Sequence, residues 1–447
     1  MSRVATTGLS ATLLLASLAT GAPGQEAGSA ASPRLRLEDL ERMALGANPT
    51  IAQAAAAVQA AEGRRRQAGL LPNPVIGYQG EELIADRFRF TRQTKHAWFI
   101  EQSLITGRRL KRSRQVFEHA KAEAEAEAQE QRQRVLTAVR GLYYDALVAH
   151  RLVGVRDELA RVAREAVDVS KELYNIGQAD QPDVLQAEIE AQKAEIDWLA
   201  AQSEERRVWQ VLGAVAGDPS LAPQPLEGDV EAGLPALDEA ALLQRLTTES
   251  PEVKAAQARR RRAEAEVSRT RAERFPDLMV EGGISYNYDR SHGLGGWAGL
   301  FGLKFALPLF DRRQGALASA RAEVEIATQE ARRLELSLRA RLASALRRYG
   351  NARERAERYQ KKIVPSAEQA HALYLARFRE MAAAYPQVLI AQRTLAQVKA
   401  EYFAALGEAW HEATLLQGFL LTGGLHWDEE GGVEVEGAES GSVPGEP

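Results

Sequence analysis

Residues 277–309 read DLMVEGGISYNYDRSHGLGGWAGLFGLKFALPL, and this stretch decides the fold class. Two runs within it, Asp277 to Tyr288 and Trp297 to Leu309, alternate apolar or aromatic side chains with polar or small ones. A period of two indicates a β-strand, because successive side chains of a strand point to opposite faces. Runs of about 9 to 13 residues with one apolar face are typical of strands that cross an outer membrane. The stretch therefore predicts a transmembrane β-hairpin.

The alternation also predicts which side chains of this hairpin contact lipid. We expect the apolar face to meet the membrane, and its members are Leu278, Val280, Ile284, Phe301, Leu303 and Phe305. The opposite face carries Glu281, Asn287 and Lys304, which we expect to face a water-filled lumen. A soluble hairpin that packs its apolar face on helices is the alternative explanation of the same pattern.

The sequence contains an internal repeat. The segment Leu37–Gly213 recurs as Leu237–Gly418, and each copy predicts a helix, two strands, a very long helical stretch and a further helix. In both copies a capping residue followed by Pro, Asn48-Pro49 or Ser250-Pro251, opens a helix. The first copy has its own strand-like runs, at 75–83 and 95–105. The chain therefore supplies four strands.

The repeat and the composition of the termini predict the domain organisation. An N-terminal basic residue, an apolar run and small residues form a secretory signal pattern. The C-terminal segment is acidic, Gly-rich and poor in apolar residues, which indicates disorder. The predicted segments are a signal peptide (1–24), a first repeat (33–213), a linker (214–236), a second repeat (237–418) and a disordered acidic tail (428–447).

Long helices make up most of the remaining chain. Aromatic residues are only 6% of the sequence, and such a composition with abundant Ala, Glu, Arg, Gln and Leu is typical of coiled coils. The stretch Arg108–Asn175 has no Pro and could extend for about 100 Å. The corresponding stretch Gln314–Arg379 contains Pro365, which should kink it. The fold class is therefore mainly α, with a coiled-coil tunnel attached to a membrane β-barrel.

The number of strands predicts the assembly. Four strands cannot close a barrel, and eight strands from two chains would leave an interior that side chains fill. Three chains would supply twelve strands and an open lumen, and a cyclic trimer is a closed assembly. We therefore expect a homotrimer with a 12-stranded barrel.

The composition does not support several classes of function. The formal net charge of -4 over 447 residues does not favour nucleic-acid binding. The chain has no Cys, and its seven His residues show no metal-ligand or catalytic spacing; the Glu408–His411 pair stands alone. We therefore predict no enzymatic activity, no catalytic residues, no metal site and no cofactor.

Several motifs together resemble the TolC-like outer-membrane efflux proteins, over nearly the whole mature chain. They are Leu37-Glu38-Asp39-Leu40 with Asn48-Pro49, Glu101 to Arg108, Tyr174-Asn175-Ile176-Gly177 with Asp183-Val184-Leu185, and Leu307 to Asp311. The resemblance implies an outer-membrane channel with a periplasmic helical tunnel and an equatorial domain around residues 214–235. It also implies an adaptor and an inner-membrane pump as partners, and the stretch from Gln102 to Arg108 resembles the heavy-metal efflux subgroup.

The resemblance places adaptor docking at the two turns that lie farthest from the strands. The candidate docking residues are Tyr174, Asn175, Gly177, Phe378, Arg379 and Tyr385. Four carboxylates near these turns are candidates for a cation-attracting entrance ring: Asp180, Asp183, Glu188 and Glu380. Helix capping or pairing with basic residues is the alternative role for these carboxylates. The second turn reads REMAAAYPQ from 379 to 387 and lacks the Gly- and Asp-rich gate of the resembled family.

The predicted function is therefore a passive conduit that carries small molecules or metal ions to the exterior. Two other functions for such helices are a periplasmic adaptor and an exported scaffold without a pore. An adaptor would usually have one helical hairpin and soluble β domains, and a scaffold would not need four alternating strands.

Overall fold

The computed structural model describes residues 34–81, 93–289, 293–380 and 385–425. The predicted signal peptide and acidic tail lie outside the described residues. Within them the helices are α1 Leu37–Ala47, α2 Pro49–Gln67, α3 Arg109–Asn175, α4 Gln181–Ala216, α5 Glu239–Glu249, α6 Pro251–Ala272, α7 Gln314–Arg358, α8 Val364–Arg379 and α9 Tyr385–Gln417. The strands are β1 Val75–Glu81, β2 Gln93–Leu104, β3 Leu278–Asp289 and β4 Leu294–Phe305. None of the described helices combines the length and the apolar content that a membrane crossing requires.

The four strands form one antiparallel sheet in the order β1-β2-β3-β4. Two of the three pairings are hairpins within a repeat, and the third joins β2 of the first repeat to β3 of the second along all twelve residues of both strands. Within the described residues, the outer edges of β1 and β4 have no strand partner. The described part of the chain is therefore mainly helical, with one four-stranded sheet that has two open edges.

The predicted boundaries of the fourth strand are wrong at both ends. The sequence pattern predicts a strand from Trp297 to Leu309, whereas β4 begins at Leu294 and ends at Phe305. Pairing of β4 with β3 sets these limits, because Leu294 lies opposite Asp289 and Phe305 lies opposite Leu278. Leu307 and Leu309 lie beyond the end of β3 and flank Pro308, which has no N–H for a ladder.

The long helices differ between the two repeats. In the first repeat α3 runs unbroken for 67 residues. In the second, a π-helical segment at Tyr359–Ile363 separates α7 from α8, and Pro365 is the second residue of α8. A proline removes a helical N–H and clashes with the preceding turn, and a π segment is one way to accommodate this. The expected kink therefore corresponds to a local change of helix type.

Two apolar clusters occupy equivalent places in the two repeats. In the first, Leu40 of α1 and Leu212 of α4 pack with Val135 and Val139 of α3. In the second, residues of α5, α6, α7 and α9 pack together, among them Leu246, Val253, Leu338, Leu342 and Leu416. The first, short helix of each repeat thus packs against the interior of a long helix, far from its start.

The linker between the repeats packs against a third cluster. Val230 is 1% exposed, and the Trp410 indole Nε1 donates a hydrogen bond of 2.8 Å to its carbonyl. The Trp410 ring stacks on Tyr144 of α3, with centroids 3.9 Å apart. This cluster holds the linker against helices α3 and α9 of different repeats.

Candidate functional site

The strand register places the predicted lipid-facing residues on one face of the sheet. Directly paired residues of antiparallel strands share a face, and the pairs are Leu278 with Phe305, Val280 with Leu303 and Gly282 with Phe301. Ile284 has the same parity in β3. Phe301 and Leu303 are 72% and 54% exposed in the protomer. The six apolar residues therefore form one unpartnered face within the described chain, which a membrane or another layer must cover.

The opposite face of the sheet carries a group of charged side chains near the ends of the strands that lead to the helices. The Lys304 Nζ lies 2.6 Å from the Glu281 Oε2 and 3.6 Å from the Glu101 Oε2. Glu101 and Glu281 lie directly opposite each other in the β2–β3 ladder, and Asn287 has the parity of Glu281. Like charges that are directly opposed repel, so Lys304 stabilises this pair of carboxylates. Glu281, Asn287 and Lys304 thus share the polar face, and the structure adds Glu101.

The apolar face carries an aromatic cluster near the ends of the two hairpins. The Trp98 ring lies 5.5 Å from Tyr78 and 6.1 Å from Trp297, centroid to centroid. Tyr286 adjoins Trp297 at 5.2 Å, and the Tyr78 hydroxyl is 2.6 Å from the His96 Nδ1. Amphipathic rings of this kind prefer the boundary between lipid and water. The cluster therefore indicates the boundary of an apolar band at the hairpin end of the sheet.

The first predicted docking turn joins α3 to α4. Gly177 has a φ of +72°, and Gln178 N donates to Leu173 O at 2.8 Å, so the helix ends in a glycine-dependent left-handed turn. Tyr174 and Asn175 are the exposed last residues of α3 around this turn. A Cβ at position 177 would meet nothing within 4 Å, so only the backbone conformation requires glycine there.

The three candidate entrance carboxylates near the first docking turn have different local roles. The Asp183 Oδ2 accepts a hydrogen bond of 3.2 Å from the Asp180 N–H at the start of α4, which is a helix cap. The Glu188 carboxylate lies 3.0 Å from the Lys171 Nζ on α3. Asp180 itself is the exposed N-cap residue of α4. All three carboxylates therefore have an intramolecular partner, since Asp180 and Asp183 form a reciprocal capping box at the start of α4.

The second docking turn is described in part. Phe378 and Arg379 are the last residues of α8, Glu380 is the exposed residue that follows, and Tyr385 begins α9. Residues 381–384 lie outside the described ranges. Near the two turns, Arg393 of α9 forms a 2.9 Å ion pair with Glu190 of α4. The helical pairs of the two repeats thus come together close to their turns.

The arginine run 259–262 belongs to an ion-pair cluster between helices. Arg259 and Arg262 of α6 both bind Glu123 of α3, at 2.7 Å and 3.0 Å, and Arg259 also lies 3.3 Å from Glu127. Burial, together with the neighbouring Glu123, raises the pKa of Glu127 above its ordinary value. Two residues of the run, Arg259 and Arg262, therefore join α6 to α3. No group of three or more His, Asp or Glu residues within the described ranges has the arrangement of a metal site.

Comparison with known proteins places this architecture in a family. A sequence model described as outer membrane efflux protein matches residues 40–218 and 242–417, which is most of the chain. The chain belongs to the outer membrane efflux protein family. It is similar to the cobalt-zinc-cadmium resistance protein CzcC of Cupriavidus metallidurans, with 28% identity over 393 residues, 88% of this chain and 91% of the relative.

Solved structures share the fold of this family member. The outer-membrane channel OprN superposes with a TM-score of 0.72 at 19% identity, covering 87% of this chain and 91% of that one. The outer membrane protein VceC of Vibrio cholerae superposes with a TM-score of 0.70 at 20% identity, covering 86% and 96%. The predicted fold class is confirmed. The protein is an outer-membrane efflux channel with a long periplasmic helical part, and it is a conduit, not an enzyme, an adaptor or a scaffold.

Proposed function

We propose that three copies of this chain form a 12-stranded barrel and a continuous helical tunnel that exports divalent metal cations. The proposed trimer is supported by the four-stranded sheet, which has an exposed apolar face and open edges at β1 and β4. An open edge leaves backbone N–H and C=O groups unsatisfied in lipid, so β1 of one copy must pair with β4 of the next. The apolar residues from Leu278 to Phe305 then face lipid, and Glu101, Glu281, Asn287 and Lys304 face the lumen.

The metal cargo is proposed from the similarity to CzcC, whose name states cobalt, zinc and cadmium resistance. In this proposal a periplasmic adaptor and an inner-membrane pump deliver the cations to the tunnel, and the channel itself needs no dedicated metal site. Deleting the gene should lower the zinc, cobalt and cadmium concentrations that the host tolerates, and the intact gene should restore them. If metal tolerance is unchanged and sensitivity to organic toxicants increases, the channel exports organic compounds and not metal cations.

The adaptor docks, in our proposal, on the two turns that contain Tyr174, Asn175, Gly177, Phe378, Arg379 and Tyr385. Gly177→Val should reduce adaptor crosslinking and metal tolerance several-fold while the trimer still forms. The reason is that a β-branched residue at a φ of +72° costs roughly 1–3 kcal/mol and will rearrange the turn.

Gly350→Val is the matched control for this turn. Gly350 lies in the C-terminal part of α7, with nothing within 4 Å of an added Cβ and no left-handed backbone. Gly177→Asn should retain part of the activity, because Asn tolerates the left-handed region. Normal adaptor crosslinking and tolerance in Gly177→Val would remove this turn from the docking surface.

Asp180, Asp183, Glu188 and Glu380 form the proposed entrance ring, repeated by threefold symmetry. Because Asp183 accepts the Asp180 N–H and Glu188 pairs with Lys171, we expect Asp180 and Glu380, which are exposed and form no ion pair in the described chain, to act most strongly on passing ions. In planar bilayers, Asp180→Asn with Glu380→Gln should lower the cation-to-anion permeability ratio by roughly twofold or more.

A double variant of the other two carboxylates, Asp183 and Glu188, provides the comparison. Asp183→Asn with Glu188→Gln should leave most of the selectivity and cost about 1 kcal/mol of stability, measured as a lower melting temperature. If neither pair changes the ion selectivity, all four carboxylates serve only as caps or surface ion pairs.

A further inference from the structure

The strand–helix junction carries exposed cations without carboxylate partners. We define this junction as Arg108, Lys111 and Arg112 at the start of α3 together with Arg312 just before α7. All four are exposed, and none forms an ion pair with a carboxylate of the described chain. Lys111 and Arg112 lie in the first turn of α3 and Arg108 directly precedes that turn, so all three cations are at the N-terminal end of the helix. The junction is therefore a concentrated positive surface.

The local structure leaves this positive charge uncompensated. Neither α3 nor α7 has an acidic residue in its first turn, and both begin after an arginine in the left-handed conformation, Arg108 with φ 57° and Arg313 with φ 58°. Cations near a helix N-terminus oppose the helix dipole, and like charges spaced by three or four residues repel. An anion at this surface would relieve both effects.

The junction also borders the apolar part of the sheet. Leu307, Leu309 and Phe310 follow β4 directly and are highly exposed, Phe310 at 91%. A 12-residue strand such as β3 tilted by about 45° spans about 28 Å, close to the thickness of a bilayer core. The hairpins lie at one end of this band, and the junction with the periplasmic helices lies at the other. Phospholipid phosphates of the periplasmic leaflet occupy that level.

The described carboxylates near the junction already have partners within their own protomer, and the Asp311 Oδ1 next to Arg312 accepts a hydrogen bond of 2.8 Å from the Arg313 N–H. Asp277 is bound by Arg109, and Glu273 lies within ion-pair distance of Arg269 and Arg313. Glu101 and Glu281 are bound by Lys304. The described carboxylates nearest the junction are therefore engaged within their own protomer.

We propose that the junction binds the phosphates of anionic phospholipids in the periplasmic leaflet, with Arg108, Lys111 and Arg112 as the main contacts. The basic side chains lie at headgroup height while Leu307, Leu309 and Phe310 reach the acyl region. This inference rests on the outer-membrane location of the chain and does not depend on its cargo. It predicts a lipid preference that other basic surfaces of the protein lack.

The test compares two triple variants of the full-length protein in phosphatidylcholine nanodiscs. One is Arg108→Gln/Lys111→Gln/Arg112→Gln. The control, Arg332→Gln/Arg333→Gln/Arg339→Gln, removes three exposed cations of α7 that also form no ion pair with a carboxylate of the described chain, about 28 Å or more of helix from the junction. The measured quantity is the association of trace spin-labelled phosphatidylglycerol relative to spin-labelled phosphatidylcholine.

The wild type and the control should prefer phosphatidylglycerol by about fivefold or more, and the junction variant should lose most of this preference. A preference retained by the junction variant, or absent in the wild type, would overturn the proposal. A junction variant whose trimer dissociates while its lipid preference is unchanged would assign the cations to contacts between copies. If inorganic phosphate abolishes the preference more strongly than chloride at equal ionic strength, the site binds free phosphate and not a lipid.

Discussion

Replacing Phe301 by Arg should lower the free energy of unfolding of the membrane-embedded sheet by about 2–4 kcal/mol. Phe301 lies near the middle of β4, on the face that carries Val280 and Leu303, and it is 72% exposed in the protomer. A guanidinium at the midplane of a bilayer loses its hydration, and the described strands place no carboxylate on that face to pair with it. Denaturant-induced unfolding of the protein in phospholipid vesicles measures the loss.

The adjacent residue provides the matched control. Leu300 precedes Phe301 in β4 and therefore lies at almost the same depth on the opposite face, paired with Gly283. If that face lines the lumen, Leu300→Arg should cost about 1 kcal/mol or less, since water can hydrate the new charge. Equal losses for the two variants would mean that the sheet does not separate lipid from water.

Asn48→Ala should destabilise the helical part by roughly 2–4 kcal/mol. Asn48 is 2% exposed, and its Oδ1 accepts hydrogen bonds from the N–H and the hydroxyl of Thr50, at 2.9 Å and 2.6 Å. Its Nδ2 donates to Val215 O at 2.8 Å and to Gly424 O at 3.3 Å. The substitution removes a helix cap and the two side-chain hydrogen bonds that join the start of α2 to α4 and to the segment after α9.

The equivalent position of the second repeat distinguishes this network from simple capping. Ser250 precedes Pro251 as Asn48 precedes Pro49, and it is fully buried, but its side chain makes no cap hydrogen bond and its Oγ has no partner. Ser250→Ala should therefore change stability by less than about 0.5 kcal/mol or raise it slightly. Chemical denaturation in detergent, followed by the helical circular dichroism signal at one protein concentration, compares the two variants. A large loss in Ser250→Ala would contradict this account.

Much of the fold could be predicted because it follows from local periodicity in the sequence. The alternation around Leu278 and Phe301 indicates strands, and the absence of Pro between Arg108 and Asn175 indicates one long helix, which is α3. Strand ends were less predictable, since β4 stops at Phe305 where its partner strand ends, although alternation continues to Leu309. The docking and entrance residues stay predictions, because their roles depend on partners and on symmetry.

The candidate site was only partly visible in the sequence. The parity of β3 and β4 places Glu281 and Lys304 on a polar face, but their contact with Glu101 depends on the pairing of β2 with β3. The alternation of the first-copy strands contained a weaker signal for Glu101, which has the opposite parity to Trp98 and Ile100. The register between strands of different repeats depends on long-range contacts, and no local sequence pattern predicts it.

The sequence by itself determined the repeat, the two faces of the strands and the lengths of the helices, because these follow from the spacing of residues within one element. The tertiary structure decided which polar groups have partners. Asn48 binds distant carbonyls whereas Ser250 does not, and Arg109 binds Asp277 whereas Arg108, three residues from Lys111, has no acidic partner in the described chain. Such differences between similar residues arise where elements far apart in sequence meet, since pairing and burial depend on distances that only the folded chain defines.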